Sequence, residues 1–311
     1  MIVTVTMNPA IDKTVEIEKF VSRGLNRIRK AEYDAGGKGI NVSKTIYELG
    51  GQSIATGFLG GNSGQIIDKV LKDYGIISDF VWVSGETRTN TKVVEDDGSL
   101  TELNEPGALV SNEDVQKLKD KLLDYANEET IFIFAGSIPN GVSKDIYREL
   151  ICLVKEKGAY VILDADGEAF CNSLEAKPNL IKPNQVELEG YWGLKEESNI
   201  NELVDAARKI QEKGIENIVV SLGKDGALFL MGERGVLCEG LSVKVSSTVG
   251  AGDAMVAAFA YAWEQKLSKD ETVKLCMATS AGAVTTIGTK PPSKEIVDEL
   301  KKQVEIKRIG E

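Results

Sequence analysis

The residues best suited to chemistry lie at positions 247–253, where a turn of small residues runs into an alanine-rich, helix-forming segment. The first backbone N–H groups of a helix lack intrahelical acceptors and carry the positive end of the helix dipole, so this turn predicts an anion site. Gly250 and Gly252 permit close approach of a phosphoryl group, and Asp253 falls in the first helical turn. An ordinary helix N-cap, with glycine for the turn and aspartate for the dipole, explains the same residues.

Histidine is absent from the 311 residues. This excludes Ser-His and Cys-His nucleophilic pairs, phosphohistidine intermediates and imidazole metal ligands. Proton transfer must therefore be carried out by carboxylates, lysine or tyrosine. The absence of histidine does not exclude a Mg²⁺ site with oxygen ligands.

The composition, with 42% hydrophobic and 27% charged residues, is that of an ordinary globular enzyme. A net charge of −11 argues against nucleic acid or an anionic membrane as a partner. The chain shows neither a signal peptide nor an apolar run long enough to span a bilayer, so we expect a cytoplasmic protein. Four cysteines without a C-x-x-C pair indicate reduced thiols in the core: Cys152, Cys171, Cys238 and Cys276.

Apolar, β-rich runs alternate with amphipathic helical stretches along most of the chain. The strand-like runs are residues 2–6, 54–58, 131–135, 160–164 and 218–222, and the helical stretches are 41–49, 146–156 and 204–213. This alternation predicts an α/β fold, with a doubly wound, mostly parallel sheet flanked by helices on both faces. In such folds ligands bind beyond the carboxyl ends of the strands.

Two stretches, at about 11–35 and 86–107, break this alternation. Their polar and apolar residues alternate, and turn-forming residues stand at 96–99, so they predict short antiparallel strands. We interpret them as a small β-sheet lid inserted into a single domain that covers residues 1–311. Two surface hairpins without a closing role are the alternative.

Six stretches resemble the motifs of the PfkB (ribokinase-like) carbohydrate kinases and occur in that family's order. They are residues 8–12, 35–42, 136–141, 182–188, 220–227 and 247–260. Six ordered motifs across the whole chain are specific, whereas one glycine-rich block would be weak evidence. The resemblance implies a ribokinase-like fold, ATP as co-substrate, Mg²⁺ and a sugar acceptor.

By this resemblance Asp253 is the general base that takes the proton of the acceptor hydroxyl. The backbone N–H groups of Gly250, Ala251 and Gly252 would stabilise the charge that develops on the transferred phosphoryl group. Both roles suit phosphoryl transfer, in which positioning and electrostatic stabilisation dominate. The sequence lacks G-x-x-x-x-G-K-[ST], so a Walker-type phosphate loop is excluded.

The 182–188 block places Asn184 and Glu187 at the rim of the predicted sheet, where their oxygens would suit Mg²⁺ directly or through water. A polar turn with a solvated Glu187 is the alternative. The resemblance also implies nucleotide contacts by Asn184, Ser221, Gly223, Gly226, Thr248 and Gly252. Residues 279–282 are less glycine-rich than in the family, so no adenine contacts are assigned.

The glycine loop at 36–39 resembles the sugar-binding loop of the family. It implies that Gly37, Asp12 and Asn41 bind the sugar, because carboxylates and amides suit adjacent hydroxyl groups. A phosphorylated sugar also needs cations, and guanidinium groups bind phosphate bidentately. The candidates are Arg27, Lys38 and Arg88, with Asn90 and Ser137 as neutral donors. Solvated surface charge is the alternative for any one of these cations.

Within the family, residues 35–42, 85–93 and 247–256 are most similar to the branch that acts on phosphorylated ketohexoses. We therefore expect ATP-dependent phosphorylation of fructose 1-phosphate to fructose 1,6-bisphosphate, with tagatose 6-phosphate or fructose 6-phosphate as alternative acceptors. Many relatives carry serine in place of Asp166, so no role is carried over to that segment. A non-catalytic sugar or nucleotide sensor would be expected to lose Asp253.

Family members pair their lids across a two-fold axis. In this chain the lid strands carry apolar residues without an obvious body to cover them: Val15, Ile17, Val93 and Leu103. We therefore expect a homodimer that pairs through the lids.

Overall fold

A computed structural model describes residues 1–195 and 198–309 of the chain. The strands are β1 (Ile2–Thr6), β2 (Ala10–Glu16), β3 (Lys30–Gly36), β4 (Ser53–Leu59), β5 (Ile77–Ser78), β6 (Val81–Trp82), β7 (Arg88–Val94), β8 (Leu100–Asn104), β9 (Ile131–Ala135), β10 (Tyr160–Asp164), β11 (Leu180–Ile181), β12 (Asn217–Ser221), β13 (Ala227–Met231), β14 (Arg234–Cys238) and β15 (Lys307–Ile309). The α-helices are α1 (Lys38–Glu48), α2 (Gly61–Asp73), α3 (Asn112–Tyr125), α4 (Ile146–Lys155), α5 (Gly167–Ser173), α6 (Gln185–Trp192), α7 (Ile200–Glu212), α8 (Ala251–Glu264), α9 (Lys269–Ala283) and α10 (Lys294–Lys301). Leu174–Ala176 and Gly223–Asp225 form 3-10 turns.

The large sheet has the strand order β15-β14-β13-β12-β11-β10-β9-β1-β4-β5, with β6 also paired to β4. From β12 through β1 to β5 the neighbouring strands are parallel, and β13, β14 and β15 continue the sheet in antiparallel pairing. Alternate residues of a strand point to opposite faces, and both faces are covered here. Phe132 and Phe134 join one core cluster, whereas Ile131 and Ile133 join the other. The expectation of a doubly wound, mostly parallel sheet is confirmed.

β1 lies at the point where the chain changes direction across the large sheet. It pairs with β4 on one side and with β9 on the other. Because β1, β9, β10, β11 and β12 are all parallel, their carboxyl ends meet along one edge. A crevice at this edge is where an α/β sheet usually binds its ligand.

The small sheet has the order β3-β2-β7-β8. The β2–β3 and β7–β8 pairs are antiparallel, as expected, but β2 and β7 pair in parallel. The expectation of antiparallel strands is therefore wrong at the centre of this sheet. The reason is topological: the chain passes through the body of the molecule between β2 and β7 and re-enters the sheet in the same direction.

Register decides what each face of the small sheet carries. Four polar residues, one from each strand, lie directly opposite one another: Asp34, Asp12, Asn90 and Asn104. Their side chains therefore share one polar face of the small sheet.

The opposite face of the small sheet is apolar. Val15, Ile17 and Val93 are buried in a cluster of their own, so the expectation that these three lack cover is wrong. Tertiary packing inside the small sheet hides them. Leu103, by contrast, is 54% exposed, as expected.

The cysteines are free thiols, as expected, but they are not all in the core. Cys238 and Cys276 are buried, whereas Cys152 and Cys171 are exposed. The latter two lie on the outward sides of α4 and α5, which bury their other faces against the large sheet. Across the described ranges, no helix is both long and apolar enough to cross a membrane.

Candidate active site

A cavity of about 1010 Å³ lies between the carboxyl edge of the large sheet, the polar face of the small sheet and the start of α8. Its walls come from segments far apart in the sequence, which the parallel strands bring to one edge. All but one of the sequence-predicted site residues line this cavity. They are Asp12, Gly37, Lys38, Asn41, Arg88, Asn90, Ser137, Asn184, Glu187, Ser221, Gly223, Gly226, Thr248, Gly250, Ala251, Gly252 and Asp253. The exception is Arg27, which is exposed in the loop between β2 and β3.

The start of α8 has the geometry of an anion site. Gly250 precedes the helix with φ 86°, a left-handed conformation that glycine adopts without strain, and no side chain caps the helix. The N–H groups of its first turn are therefore left to face the cavity. Asp253 makes no capping bond either; its Oδ2 accepts a hydrogen bond of 2.8 Å from Asn41 Nδ2 of α1. A side-chain capping bond therefore does not explain this carboxylate, whereas its place in the first turn of α8 also suits the helix dipole.

Asp253 lies in a buried network of charges. Burial raises the pKa of Asp253 to about 7, and the Asp164 carboxylate adds to this rise, whereas Asn41, Lys38 and Lys182 oppose it. Burial alone would also raise the pKa of Asp164, but Lys182 and Lys38 lower it. Lys38 Nζ and Lys182 Nζ lie 3.2 and 3.5 Å from Asp164 Oδ1. The network therefore keeps Asp164 ionised and leaves Asp253 able to accept a proton near neutral pH.

Arg88 lies at the base of the small sheet with spare hydrogen-bonding capacity. Its guanidinium donates to the backbone carbonyl of Asn8 at 3.0 Å and to Ser137 Oγ at 3.5 Å. Its Nε is buried and has no hydrogen-bond partner among the described residues. A buried unpaired donor costs free energy, so Arg88 is prepared for an acceptor that enters the cavity.

Asn90 and Asp12 form a second polar group on the same face of the small sheet. Asn90 Nδ2 donates to Asp12 Oδ1 at 3.3 Å, while Asn90 Oδ1 is buried and finds no partner within residues 1–195 and 198–309. Lys92 Nζ lies 4.0 Å from Asp12 Oδ2 and also lines the cavity. Amide, carboxylate and ammonium groups at these separations can bind the hydroxyl and phosphate groups of a sugar phosphate.

Asn184 and Glu187 form a capping box at the start of α6. Asn184 Oδ1 accepts from the Glu187 backbone N–H, and Glu187 Oε2 accepts from the Asn184 backbone N–H, both at 2.8 Å. Both residues also line the cavity. A carboxylate and an amide oxygen fit Mg²⁺, which keeps several waters and takes phosphate oxygens as further ligands.

The glycines after β12 differ in what they do. Gly223 lines the cavity, and a Cβ atom there would meet nothing within 4 Å. At Gly226 a Cβ atom would lie 1.9 Å from the Cys238 carbonyl oxygen, so glycine is required by the neighbouring backbone. Close backbone packing, and not only the approach of a nucleotide, therefore explains Gly226.

Sequence reasoning missed several cavity residues. Lys182 belongs to the 182–188 motif and Asp164 ends the predicted strand 160–164, but neither position in the sequence indicates proximity to Asp253. The other missed group is an apolar end of the cavity, beyond the start of α8. It is lined by Leu241, Val243, Val245, Met277, Ala281 and Val284. These residues come from two separate segments, residues 241–245 and 277–284, so no local pattern indicates them.

The chain matches the model of the pfkB family carbohydrate kinases over residues 5–296. It is 35% identical over 312 residues to a 1-phosphofructokinase from Bacillus subtilis, covering 99% of this chain and 100% of the relative. A 1-phosphofructokinase from Vibrio cholerae is 32% identical over 305 residues, covering 98% of this chain and 96% of the relative.

Solved structures agree with the sequence relatives. Phosphofructokinase-2 from Escherichia coli, in complex with potassium, superposes with a TM-score of 0.92 at 29% identity, covering 97% of this chain and 98% of that chain. Ribokinase from Arabidopsis thaliana, complexed with ribose and ATP, gives a TM-score of 0.80 at 25% identity over 97% and 98% of the two chains. The chain therefore has the ribokinase-like fold and belongs to the PfkB family of carbohydrate kinases.

Proposed function

We propose that the protein transfers the γ-phosphoryl group of ATP to the C6 hydroxyl of fructose 1-phosphate, which gives fructose 1,6-bisphosphate. The observation that carries this proposal is the position of Asp253. Its carboxylate lies in the first turn of α8, where no side chain of the described residues caps the helix, and Asp253 lines the same cavity as Arg88 and Asn90. The full-length relatives named 1-phosphofructokinase favour this acceptor.

In this proposal the sugar lies against the small sheet. Arg88, Lys38, Ser137 and Asn90 bind its phosphate, and the unpaired Arg88 Nε supplies a donor that the protein itself does not use. The ring hydroxyls are bound by Asp12, Gly37 and Asn41. Arg27 would contribute from the exposed loop between β2 and β3, either after that loop moves or from a second subunit.

Asp253 then accepts the proton of the C6 hydroxyl as that oxygen attacks the γ-phosphorus of ATP. The N–H groups of Gly250, Ala251 and Gly252 stabilise the charge on the transferred group. Asn184 and Glu187 would hold Mg²⁺ directly or through water. When bound, Mg²⁺ neutralises charge on the β- and γ-phosphates.

The nucleotide occupies the opposite end of the cavity. Ser221, Gly223, Gly226 and Thr248 line the path of its phosphates and ribose. The apolar end beyond α8 suits the flat, largely apolar adenine ring.

The small sheet acts as a lid over the acceptor, and two lids pair in a cytoplasmic homodimer. Exposed apolar side chains on the small sheet support the pairing, with Tyr33 64% and Leu103 54% exposed. An apolar surface of this kind is typical of an interaction site.

A second acceptor, fructose 6-phosphate, is favoured by one observation. Phosphofructokinase-2 of Escherichia coli in complex with fructose-6-phosphate superposes with a TM-score of 0.90. A non-catalytic sensor is disfavoured because Asp253 is present and faces the cavity.

Acceptor-dependent release of ADP tests the proposal. With MgATP we expect ADP release on addition of fructose 1-phosphate, and fructose 1,6-bisphosphate as product by ³¹P NMR. Free fructose should give little release, because it lacks the phosphate that Arg88 and Lys38 bind. Absence of ADP release with any phosphorylated ketohexose would rule out the kinase proposal.

A further inference from the structure

Asp34 is a carboxylate of β3 that the mechanism above does not use. Lys44 Nζ of α1 lies 2.7 Å from Asp34 Oδ1 and donates a second hydrogen bond of 2.5 Å to the Ala35 carbonyl. Lys44 is only 1% exposed, and a buried ammonium group requires a charged partner. Lys44 therefore fixes Asp34 relative to α1, the helix that begins at the glycine loop.

The second oxygen of Asp34 reaches the other side of the active site. Thr289 Oγ1, in the segment after α9, donates to Asp34 Oδ2 at 3.2 Å. Thr289 also packs against the anion site, because a Cβ atom on Gly250 would lie 3.5 Å from Thr289 Cα. At the start of the same segment, the Val284 carbonyl accepts a hydrogen bond of 2.7 Å from the Ser246 backbone N–H. The position of Thr289 thus helps to shape the turn that leads into α8.

Asp34 is also linked to the acceptor end of the cavity through the neighbouring strand β2. It stands directly opposite Asp12 in the β2–β3 ladder, so both carboxylates lie on the polar face of the small sheet. β2 is hydrogen-bonded to β3 along its whole length. If a sugar that contacts Asp12 shifts β2, β3 therefore shifts with it.

We propose that Asp34 and Thr289 form a positioning pair that couples occupation of the acceptor site to the geometry of the anion site. The inference rests on the proposed function, since it needs a sugar phosphate at the small sheet and ATP at α8. Thr289 lines the cavity and Asp34 stands behind it, and in this proposal both act through position and not on the reacting groups. The pair acts by linking β3 to the segment that packs on Gly250.

A coupling of this kind has a reciprocal thermodynamic signature. Fructose 1-phosphate should tighten binding of a non-hydrolysable MgATP analogue, and the analogue should tighten binding of fructose 1-phosphate by the same factor. Coupling between two sites typically amounts to roughly 5–150-fold. A residue that merely stabilises the fold would leave this factor unchanged.

Isothermal titration calorimetry on the full chain tests the pair. We expect Thr289→Val, which keeps the shape but loses the hydroxyl, to reduce the coupling to about twofold or less. The coupling factor is a ratio of affinities with and without the second ligand, so a change in the affinity for one ligand alone cancels from it. Thr289→Ser should restore the coupling because it restores the hydroxyl. Thr285→Val is the matched control, since Thr285 Oγ1 donates to the Gly282 carbonyl at the end of α9. The control should keep the wild-type factor.

The outcomes separate the inference from the proposed function. Wild-type coupling that persists in Thr289→Val, or two ligands that bind the wild type without coupling, would overturn the inference alone. A wild-type protein that binds neither fructose 1-phosphate nor the analogue would overturn the proposed function as well. Should Thr289→Val fail to fold, Thr289→Ala removes the same hydroxyl and is judged by the same criteria.

Discussion

At one end of the cavity Asp253 sits on a helix that is buried from Asp253 to Ala260, whereas at the other end Arg88 and Asn90 project from half-exposed strands. In β7 only Val93 is buried, and most of β8 is exposed. The catalytic end is therefore held by packing before any ligand arrives. Among the described residues, the acceptor end keeps two buried atoms without a hydrogen-bond partner, Arg88 Nε and Asn90 Oδ1, and the Oδ1 of Asn41, beside Asp253, is a third. We infer that chemistry depends on the rigid end and acceptor recognition on the adaptable one.

The largest effect is expected at the rigid end. Asp253→Asn keeps the shape and the contact with Asn41 but removes the base, so kcat should fall by roughly 10²–10⁴-fold while both substrates still bind. Steady-state kinetics and calorimetry measure the two quantities. Asp166→Asn is a matched control, because it removes an exposed carboxylate of the same cavity. Near-normal turnover in Asp253→Asn would remove this residue from the mechanism.

At the adaptable end, substitutions should change affinity more than turnover. Arg88→Met should raise KM for fructose 1-phosphate by about 10–150-fold, since a hydrogen bond to a charged group contributes roughly 1.5–3 kcal/mol. Lys38→Met should also lower turnover, because Lys38 belongs to the charge network around Asp253. KM for ATP should change little. Lys13→Met is the control, because Lys13 lies on β2 but outside the cavity lining. A larger rise in KM for ATP would mean that the two ends are assigned the wrong way round.

The pKa of Asp253 gives a smaller and sharper test of the rigid end. Because only the ionised carboxylate accepts a proton, kcat/KM should fall about tenfold per pH unit below a pKa of about 7. Asp164 contributes to raising the pKa of Asp253, so Asp164→Asn should move this acid limb to lower pH. The sugar phosphate itself titrates near pH 6. If the pH at which kcat/KM falls is the same in Asp164→Asn as in the wild type, the fall reports titration of the substrate and not of Asp253.

The smallest effect concerns the outer face of the small sheet. Light scattering should give twice the 33.7 kDa mass of the chain, and Leu103→Asp should weaken this dimer. Ile296→Asp, an exposed apolar residue of α10, should leave the mass unchanged. A wild-type monomer at micromolar concentration would contradict pairing through the lids.

The two ends also differ in how far the sequence predicts them. Gly250 and Asp253 belong to one short motif, and a helix start can be inferred from neighbouring residues alone. The surroundings of Asp253 could not be inferred, because Lys182 and Asp164 reach it only through the order of parallel strands. Arg27 was grouped with the cavity cations by its place in the chain, yet it lies outside the cavity lining.

At the small sheet the pairing itself was harder to predict. The polar residues of β2 and β7 were identified, but the parallel register between these strands depends on a chain path through the large sheet. The burial of Val15, Ile17 and Val93 also follows from contacts between distant segments. Local alternation predicts which residues share a face, and only the three-dimensional fold decides what covers that face.

The acceptor assignment is tested most directly by kcat/KM values for fructose 1-phosphate, tagatose 6-phosphate and fructose 6-phosphate, each measured with saturating MgATP. A site that hydrogen-bonds a given set of hydroxyls can reject a misfit by orders of magnitude, so the values should separate clearly. We predict the highest value for fructose 1-phosphate. A value for tagatose 6-phosphate or fructose 6-phosphate equal to or above it would contradict the proposed acceptor.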